Sequence, residues 1–121
     1  RDFFKLKDVI DCNNKLLDLI GLGNDLFDEI CIADDYPPKK DSYRKPSPKF
    51  GLEIINKYKI NKNNFFYVGD SKSDLETAFK IGCKCYGVNT GLIDLNKVNE
   101  TELNFDISQN LYEVANKIIN D

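Results

Sequence analysis

The sequence predicts an α/β fold in which a parallel sheet is covered by helices. Candidate strands and helices alternate along the chain, which is the order expected of such a sheet. The run Phe-Phe-Tyr-Val at residues 65–68 is apolar throughout, as is typical of a strand buried on both faces. With 121 residues, of which 41% are hydrophobic and 31% charged, the chain can form one small core. We therefore expect a single domain over residues 1–121.

The elements in the first half of the chain are predicted from spacing and composition. Residues 9–20 place apolar side chains at a roughly helical spacing, and Gly21 follows as a stop signal. Residues 27–33 have the composition of a strand. All four prolines fall within residues 34–48, which predicts a loop. Residues 50–58 again show helical spacing, so this loop is expected to lead into a second helix.

The second half of the chain continues the alternation. Residues 65–69 and 84–88 are predicted as strands, and residues 73–81 as the helix that joins them. Gly82 is the natural C-cap of this helix. We expect a short edge strand at Phe105.

A final helix is expected to begin at a cap formed by Ser108. Its spacing predicts a single inward face. The apolar side chains of that face would be Leu111, Val114, Ala115, Ile118 and Ile119.

Charge and composition argue against several classes of partner. The net charge of −3 and the scattered lysines provide no basic surface for nucleic acid or anionic lipid. No apolar run has the length of a membrane span, and no signal peptide is visible. The cysteines lack Cys-x-x-Cys spacing and the sequence has no His, so four buried thiols in a cytoplasmic protein are favoured over disulfides or zinc. The cysteines are Cys12, Cys31, Cys83 and Cys85. The sequence leaves the oligomeric state open.

Two acidic residues follow the central predicted strand. Gly69 lets the backbone turn out of the sheet, Asp70 comes next, and Asp74 lies in the first turn of the following helix. Ligands of open parallel sheets bind beyond the carboxyl ends of the strands, and two carboxylates there suit Mg²⁺. The same residues would also be expected at an ordinary helix N-terminus, where the helix dipole favours acidic side chains.

Two basic residues stand in the proline-containing loop. Arg44 offers a planar fork to phosphate oxygens, and Lys45 is a compact charge that can neutralise a phosphoryl group. Pro46 and Pro48 stiffen the segment that presents these cations. Taken alone, such a pair is more often solvated surface.

The order of these motifs resembles motifs III and IV of the haloacid dehalogenase superfamily of phosphatases. The resemblance is carried by Lys-Pro-x-Pro from Lys45, then a helix, then an apolar strand that ends in Gly-Asp-x-x-x-Asp, and then Asn-Thr-Gly at residues 89–91. Phe-Asp-Glu-Ile at residues 27–30 and the Arg-Lys-Pro sequence are similar to the branch that contains heptose-bisphosphate and histidinol-phosphate phosphatases. The segments at residues 1–4 and 16–19 resemble the part of that branch that follows motif II.

The resemblance implies a fold and a set of roles. The fold would be the Rossmann-like three-layer α/β/α arrangement of the superfamily. Lys45 would be the motif III lysine, which screens the charge between nucleophile and phosphoryl group. Asp70 would be a Mg²⁺ ligand, Asp74 would support the metal shell, and Arg44 would contact the substrate phosphate.

The catalytic nucleophile of this superfamily has no counterpart in the sequence. The nucleophile belongs to an Asp-x-Asp motif after an N-terminal strand, and no Asp-x-Asp is present. The chain starts at Arg1 and contains no Met, which favours a processed or truncated product. We therefore expect a longer parent protein, a sheet that lacks its N-terminal strands, and no turnover by this chain alone.

Many members of the branch bind zinc through Cys-x-His and Cys-x-Cys in the loop at residues 33–48. The corresponding residues of this sequence are Ala33, Asp35, Asp41 and Tyr43. None of them offers a thiol or an imidazole, so we expect no structural zinc and interpret residues 33–48 as a phosphate-binding loop.

The function implied by the resemblance is Mg²⁺-dependent hydrolysis of a small phosphorylated metabolite, with a sugar phosphate favoured, through an aspartyl-phosphate. A non-catalytic binding or scaffold domain is the alternative from another class, and binding without turnover would distinguish it. A receiver-like signalling domain ranks last, because it needs an acidic pair after a first strand that is not found here.

Overall fold

The computed structural model describes residues 4–98 and 103–120. By its internal contacts the chain divides into two compact units, Arg1–Arg44 and Lys45–Asp121. The single domain expected over residues 1–121 stays a prediction, and the resemblance of residues 1–3 to the branch lies outside the described residues. No helix in the described ranges has the length and apolarity needed to cross a membrane.

The first unit contains one helix, α1, at Leu6–Ile20. Its amino end is closed by Asp8, whose carboxylate accepts a 2.8 Å hydrogen bond from the Lys5 amide. Its carboxyl end is closed by Gly21, which is left-handed and donates its N–H to the carbonyl of Leu17 at 3.0 Å. The predicted helix and its stop signal are both confirmed.

The strand predicted at residues 27–33 does not form, so this prediction is wrong. The segment has the right composition, but a strand is stabilised by hydrogen bonds to a neighbouring strand. The three strands of the described residues all lie in the second unit, where they pair with one another. Residues 27–33 therefore lack the backbone hydrogen bonds to a neighbouring strand that would hold them as a strand.

The second unit is built on a parallel sheet of three strands. These are β1 at Phe66–Gly69, β2 at Lys84–Val88 and β3 at Phe105–Ser108, in the order β1-β2-β3. Both pairings are parallel, with Gly69 opposite Gly87 in the first. The carboxyl ends of all three strands consequently meet at one edge of the sheet. The predicted strands at 65–69, 84–88 and Phe105 are confirmed, but the expectation that the first of them is central is not met: among the described residues β1 lies at an edge of the sheet and is half-buried.

Helices cover both faces of this sheet. The second unit contains α2 at Lys49–Lys57, α3 at Lys72–Ile81 and α4 at Leu111–Asn120, with short 3₁₀ turns at Lys62–Asn64 and Leu95–Lys97. Helix α3 packs on β1 and β2, whereas α4 packs on β2 and β3.

Two separate apolar clusters show that these helices lie on opposite faces. One cluster joins Leu75 and Ala78 of α3 to Cys85 of β2. The other joins Val114 of α4 to Tyr86, the next residue of β2. Because successive side chains of a strand point to opposite faces, α3 and α4 sandwich the sheet. The predicted three-layer α/β/α architecture is confirmed.

The cap predicted at the end of α3 is confirmed, whereas the cap predicted at the start of α4 is wrong. Gly82 caps α3 as predicted, in a left-handed conformation that glycine adopts without steric cost. Ser108 is not the cap of α4, because the chain stays extended through this residue and Ser108 is the last residue of β3. Asn110 takes that role, and its side-chain oxygen accepts a 3.0 Å hydrogen bond from the Glu113 amide.

The inward face predicted for α4 is only partly correct. Val114 is fully buried and Ile118 partly buried, but Leu111 and Ile119 are 64% and 77% exposed. Ala115 is also exposed. The helix rests on the short strands β2 and β3, which cover a narrower stripe than the apolar spacing suggests.

All four cysteines are free, but they are not all buried as predicted. Cys12 lies on an exposed position of α1, and Cys31 and Cys83 are half-buried. Cys85 is enclosed in the cluster beneath α3, and this burial raises the pKa of its thiol to about 12.

Candidate functional site at the carboxyl edge of the sheet

The turn from β1 into α3 is shaped by a reciprocal cap. Ser71 is the N-cap residue, and its hydroxyl accepts a long, 3.4 Å hydrogen bond from the Asp74 amide. In return the Asp74 carboxylate accepts from the Ser71 amide at 3.1 Å. A Ser followed three residues later by an acidic residue favours this local geometry, so Asp74 is turned back towards the end of β1.

The Asp74 carboxylate is buried, with 4% of the residue exposed, and both of its oxygens are engaged. Oδ2 accepts hydrogen bonds from the Asp70 amide at 3.1 Å and from the Ser71 hydroxyl at 2.7 Å, in addition to the Ser71 amide. Oδ1 lies 2.6 Å from Nζ of Lys45 and 3.4 Å from the hydroxyl of Tyr67. Asp74 therefore links the Lys45 ammonium to the backbone of the Asp70 turn.

These contacts change the pKa values of two acids, the buried Asp74 and the half-buried Tyr67. Burial raises the pKa of the Asp74 carboxyl, but the hydrogen bonds from Lys45 and Ser71 outweigh it and hold the pKa below the ordinary 3.8. Burial, followed by the negative charge of Asp74, raises the pKa of Tyr67 to about 12. The buried cluster thus holds one charged carboxylate and one neutral phenol at neutral pH.

Lys45 presents a partly solvated cation beside this carboxylate. Its side chain is 47% exposed, while that of Asp74 is 6% exposed. An ammonium group carries three N–H donors, and among the described residues the one partner of Lys45 is Asp74. The remaining donors can face an anion in solvent.

Asp70 differs from Asp74 in its surroundings. The residue is exposed, and no donor or cation in the described ranges contacts its carboxylate. Gly91 lies close to its side chain, as Gly69 lies close to that of Asp74. A Cβ atom added to Gly91 would lie 2.5 Å from Oδ2 of Asp70, and a Cβ on Gly69 would lie 2.5 Å from Oδ2 of Asp74. Each of the two carboxylates therefore lies beside a glycine at a position that has no room for a side chain.

Arg44 belongs to the first unit, and the contacts of its guanidinium lie in that unit. Nε donates to the carbonyl of Asp35 at 3.0 Å, and the guanidinium carbon lies 5.6 Å from the centre of the Tyr36 ring. The Arg44 amide donates to the Ser42 hydroxyl at 2.9 Å. The predicted contact of Arg44 with a substrate phosphate stays a prediction.

The loop that presents Arg44 is closed by Asp35, a role that the sequence did not reveal. The Asp35 carboxylate accepts hydrogen bonds of 2.9 Å from the Lys39 amide and from the Ser42 hydroxyl. The Ser42 bond and then the Lys39 bond lower the pKa of Asp35. The only signal in the sequence was an Asp followed by a Ser seven residues later, and this spacing is too common to predict a hydrogen bond that closes the loop.

The chemistry of the donors decides which metal these residues could hold. In the described part of the chain no three His, Cys, Asp or Glu side chains come together as a metal-binding group. The exposed carboxylate of Asp70 fits Mg²⁺, which takes one or two carboxylates and fills its remaining positions with water and phosphate. Asp74 fits an indirect role better, because its oxygens already accept hydrogen bonds from Lys45 and the turn.

Comparison with known proteins agrees with this arrangement of motifs. Residues 12–88 match the profile of the haloacid dehalogenase-like hydrolases. The chain is also 39% identical over 79 residues to a D-glycero-beta-D-manno-heptose-1,7-bisphosphate 7-phosphatase of Pseudomonas putida.

That alignment covers 63% of this chain and 43% of the relative, so the chain spans less than half of the relative's length. No solved structure gives a significant match. Because the family profile covers well over half of the residues, the chain belongs to the haloacid dehalogenase-like hydrolase family.

Proposed function

We propose that this chain is the charge-neutralising and metal-holding part of a Mg²⁺-dependent phosphomonoester hydrolase that acts on a small sugar phosphate in the cytoplasm. The proposal rests chiefly on one observation, the 2.6 Å contact of Lys45 with a buried carboxylate that also accepts from the Asp70 amide. A solvated helix N-terminus would explain the Asp74 cap, but it would not require a lysine from 29 residues earlier in the chain to enter the same cluster.

Each residue has a distinct part in the proposed chemistry. Lys45 binds the phosphoryl oxygens with the donors that Asp74 leaves unused, and its charge lowers the repulsion between phosphate and an attacking carboxylate. Asp74 holds the Lys45 ammonium in place. Asp70 holds the metal ion, which when bound neutralises charge on the phosphoryl group. Arg44, by the family resemblance alone, would bind the substrate phosphate.

The attacking group is expected to come from outside this sequence. In the proposed reaction a carboxylate attacks phosphorus in line and expels the sugar oxygen, and water then hydrolyses the aspartyl-phosphate. The sequence contains no Asp-x-Asp from which that carboxylate could come. This is also the observation that favours the second candidate, a non-catalytic domain that binds Mg²⁺ or phosphate without turnover.

The relative of Pseudomonas putida suggests the first substrate to test, D-glycero-β-D-manno-heptose 1,7-bisphosphate. Phosphate release should be measured for the 121-residue chain and for the complete gene product that contains it, with and without Mg²⁺. We expect turnover in the complete product only. Lys45→Met and Asp70→Asn should each lower kcat by about 10²-fold or more. Lys15→Met and Asp18→Asn, on exposed positions of α1, are the matched controls and should leave kcat unchanged.

Three results would contradict the proposal. Mg²⁺-dependent turnover by the 121-residue chain that Asp70→Asn abolishes would show that the nucleophile is present after all. Full activity of the complete product with Lys45→Met would remove the lysine from the chemistry. Binding of Mg²⁺ and phosphate by the complete product without any turnover would favour the non-catalytic domain.

A further inference from the structure

Gly91 lies against the side chain of Asp70, although the two residues follow different strands. A Cβ atom at position 91 would lie 2.5 Å from Oδ2, 2.8 Å from Cγ and 2.9 Å from Cβ of Asp70. Outside their own residue and its chain neighbours, real Cβ atoms essentially never come within 3.0 Å of a heavy atom. The hydrogen of the glycine is therefore the largest group that fits beside Asp70 as it is placed.

The backbone conformation does not account for a glycine here. The glycines with positive φ in the described residues are Gly21, Gly23 and Gly82. Gly91 is not among them, so its φ lies outside the left-handed region that favours glycine. What position 91 requires is the absence of a side chain, and the group that requires it is the Asp70 carboxylate.

The loop around Gly91 is held and cannot easily move aside. Asn89 anchors it through three hydrogen bonds, from its own amide to the carbonyl of Ser108 at 2.9 Å, from the Leu95 amide to its Oδ1 at 3.0 Å, and from its Nδ2 to Asp94 at 3.2 Å. Leu95 is fully buried in the cluster beneath α3.

The backbone of Asp70 is fixed as well, because its amide donates a hydrogen bond to the Asp74 carboxylate. Rotation of the Asp70 side chain about Cα–Cβ can then move Cγ and Oδ2 away from a group at position 91, but the 2.9 Å approach of the Asp70 Cβ remains and costs stability.

We propose that Gly91 is a positioning residue, which sets the rotamer of Asp70 by leaving room for one placement of its carboxylate. The inference deepens the proposed function, since Asp70 is the residue proposed to hold Mg²⁺. A change between staggered rotamers moves a carboxylate by more than about 2 Å. Mg²⁺ demands ligands at about 2.0–2.1 Å in near-octahedral geometry, so such a movement removes a ligand from the shell.

Gly91→Ala tests this inference, with Gly51→Ala as the matched control. A Cβ at Gly51 also meets a side chain, that of Ile81, but this contact lies between α2 and α3 and does not involve Asp70. Crystal structures of the 121-residue chain and of both variants give the position of the Asp70 carboxylate. Titration with Mg²⁺, followed by amide NMR, gives the affinity. We expect Gly91→Ala to displace the carboxylate and to weaken Mg²⁺ binding at least tenfold, whereas Gly51→Ala changes neither.

A stability cycle keeps the test decisive without metal. Asp70→Gly removes all three atoms that an alanine at position 91 would meet. Gly91→Ala should therefore raise the unfolding equilibrium constant at least fivefold in the native sequence and less than twofold in the Asp70→Gly background. If Gly91→Ala alone does not fold, a folded double variant supports the inference and an unfolded one overturns it.

The remaining outcomes also separate the two proposals. An Asp70 carboxylate that stays within about 0.5 Å of its place in Gly91→Ala, or equal costs in both backgrounds, would overturn the role of Gly91. If the native chain and the complete gene product bind no Mg²⁺, the metal-holding role of Asp70 fails. The crystal structures and the stability cycle would still decide whether Gly91 positions the carboxylate.

Discussion

The buried carboxylate of Asp74 should stabilise the fold through its charge, and Asp74→Asn isolates that charge. The substitution keeps the shape of the side chain, so packing around it is retained. The amide oxygen of asparagine can still accept from Ser71 and the Asp70 amide. Its NH₂ group would then face the ammonium of Lys45, which currently lies 2.6 Å from a carboxylate oxygen, and two donors would oppose each other.

The size of the effect follows from the surroundings of each contact. The Lys45 side chain is 47% exposed and can be resolvated, so loss of its contact costs about 1 kcal/mol or less rather than the 3–5 kcal/mol of a fully buried pair. The bonds from the Ser71 and Asp70 amides weaken when their acceptor loses its charge, by a few tenths of a kcal/mol each. Relief of carboxylate burial offsets part of the loss. We expect a net destabilisation of about 1 kcal/mol.

Urea unfolding at several pH values measures this contribution. The pKa of Asp74 lies below its ordinary 3.8, so its stabilisation is complete above about pH 5 and is lost as the pH falls through the folded-state pKa. The free-energy difference between the native chain and Asp74→Asn should therefore shrink as the pH falls from about 5 to 3. Asp18→Asn, an exposed carboxylate on α1, is the control and should show no such difference.

A double-mutant cycle with Lys45→Met assigns the part that belongs to the ion pair. We expect a coupling free energy of about 1 kcal/mol or less, because one partner is half-exposed. If Asp74→Asn were as stable as the native chain at pH 7, the Asp74 charge would not stabilise the fold. An equal loss of unfolding free energy in Asp74→Asn at pH 7 and at pH 3 would also show that the stabilisation does not come from the charge of Asp74.

Three further predictions concern other titrating or tethered groups. Since the pKa of Tyr67 is raised from 10.0 to about 12, the free energy of unfolding should fall as the pH rises through this interval, and Tyr67→Phe should reduce that fall; an equal fall in the variant would contradict it. Asp35→Ala removes the acceptor of the Ser42 hydroxyl and should speed proteolysis within residues 35–44, whereas Asp34→Ala should not. The exposed Cys12 should react with a disulfide reagent in the folded chain, and Cys85, buried and with a thiol pKa of about 12, only on unfolding; rapid reaction of both would refute the burial.

Local patterns predicted most of the second unit because there local and tertiary preferences agree. The apolar run at β1, the capping pair of Ser71 and Asp74, and the glycine at position 82 each specify their own element. Lys45 and Asp74 belong to consecutive motifs of the family that the sequence resembles, and the structure brings the two side chains into contact. No local pattern could have shown it, since 29 residues separate the two.

The predictions from the sequence were wrong or incomplete where residues far away along the chain determine the local structure. Residues 27–33 have the composition of a strand but do not pair with another strand. Ser108 belongs to β3 and does not cap α4, because it pairs with Val88 at the end of β2. The engagement of both Asp74 oxygens and the contact of Gly91 with Asp70 each depend on atoms from different loops. Composition and spacing carry no record of such contacts.

We propose that Asp70 holds a divalent cation at the carboxyl edge of the sheet, beside the Lys45–Asp74 pair. Paramagnetic broadening by substoichiometric Mn²⁺ in the ¹⁵N-labelled chain tests it most directly, since Mn²⁺ favours the same oxygen ligands as Mg²⁺. The amide signals of Asp70, Ser71 and Gly91 should broaden before those of other residues, and Asp70→Asn should abolish this broadening. Broadening centred on the acidic loop at Asp34 and Asp35, or unchanged broadening in Asp70→Asn, would contradict it.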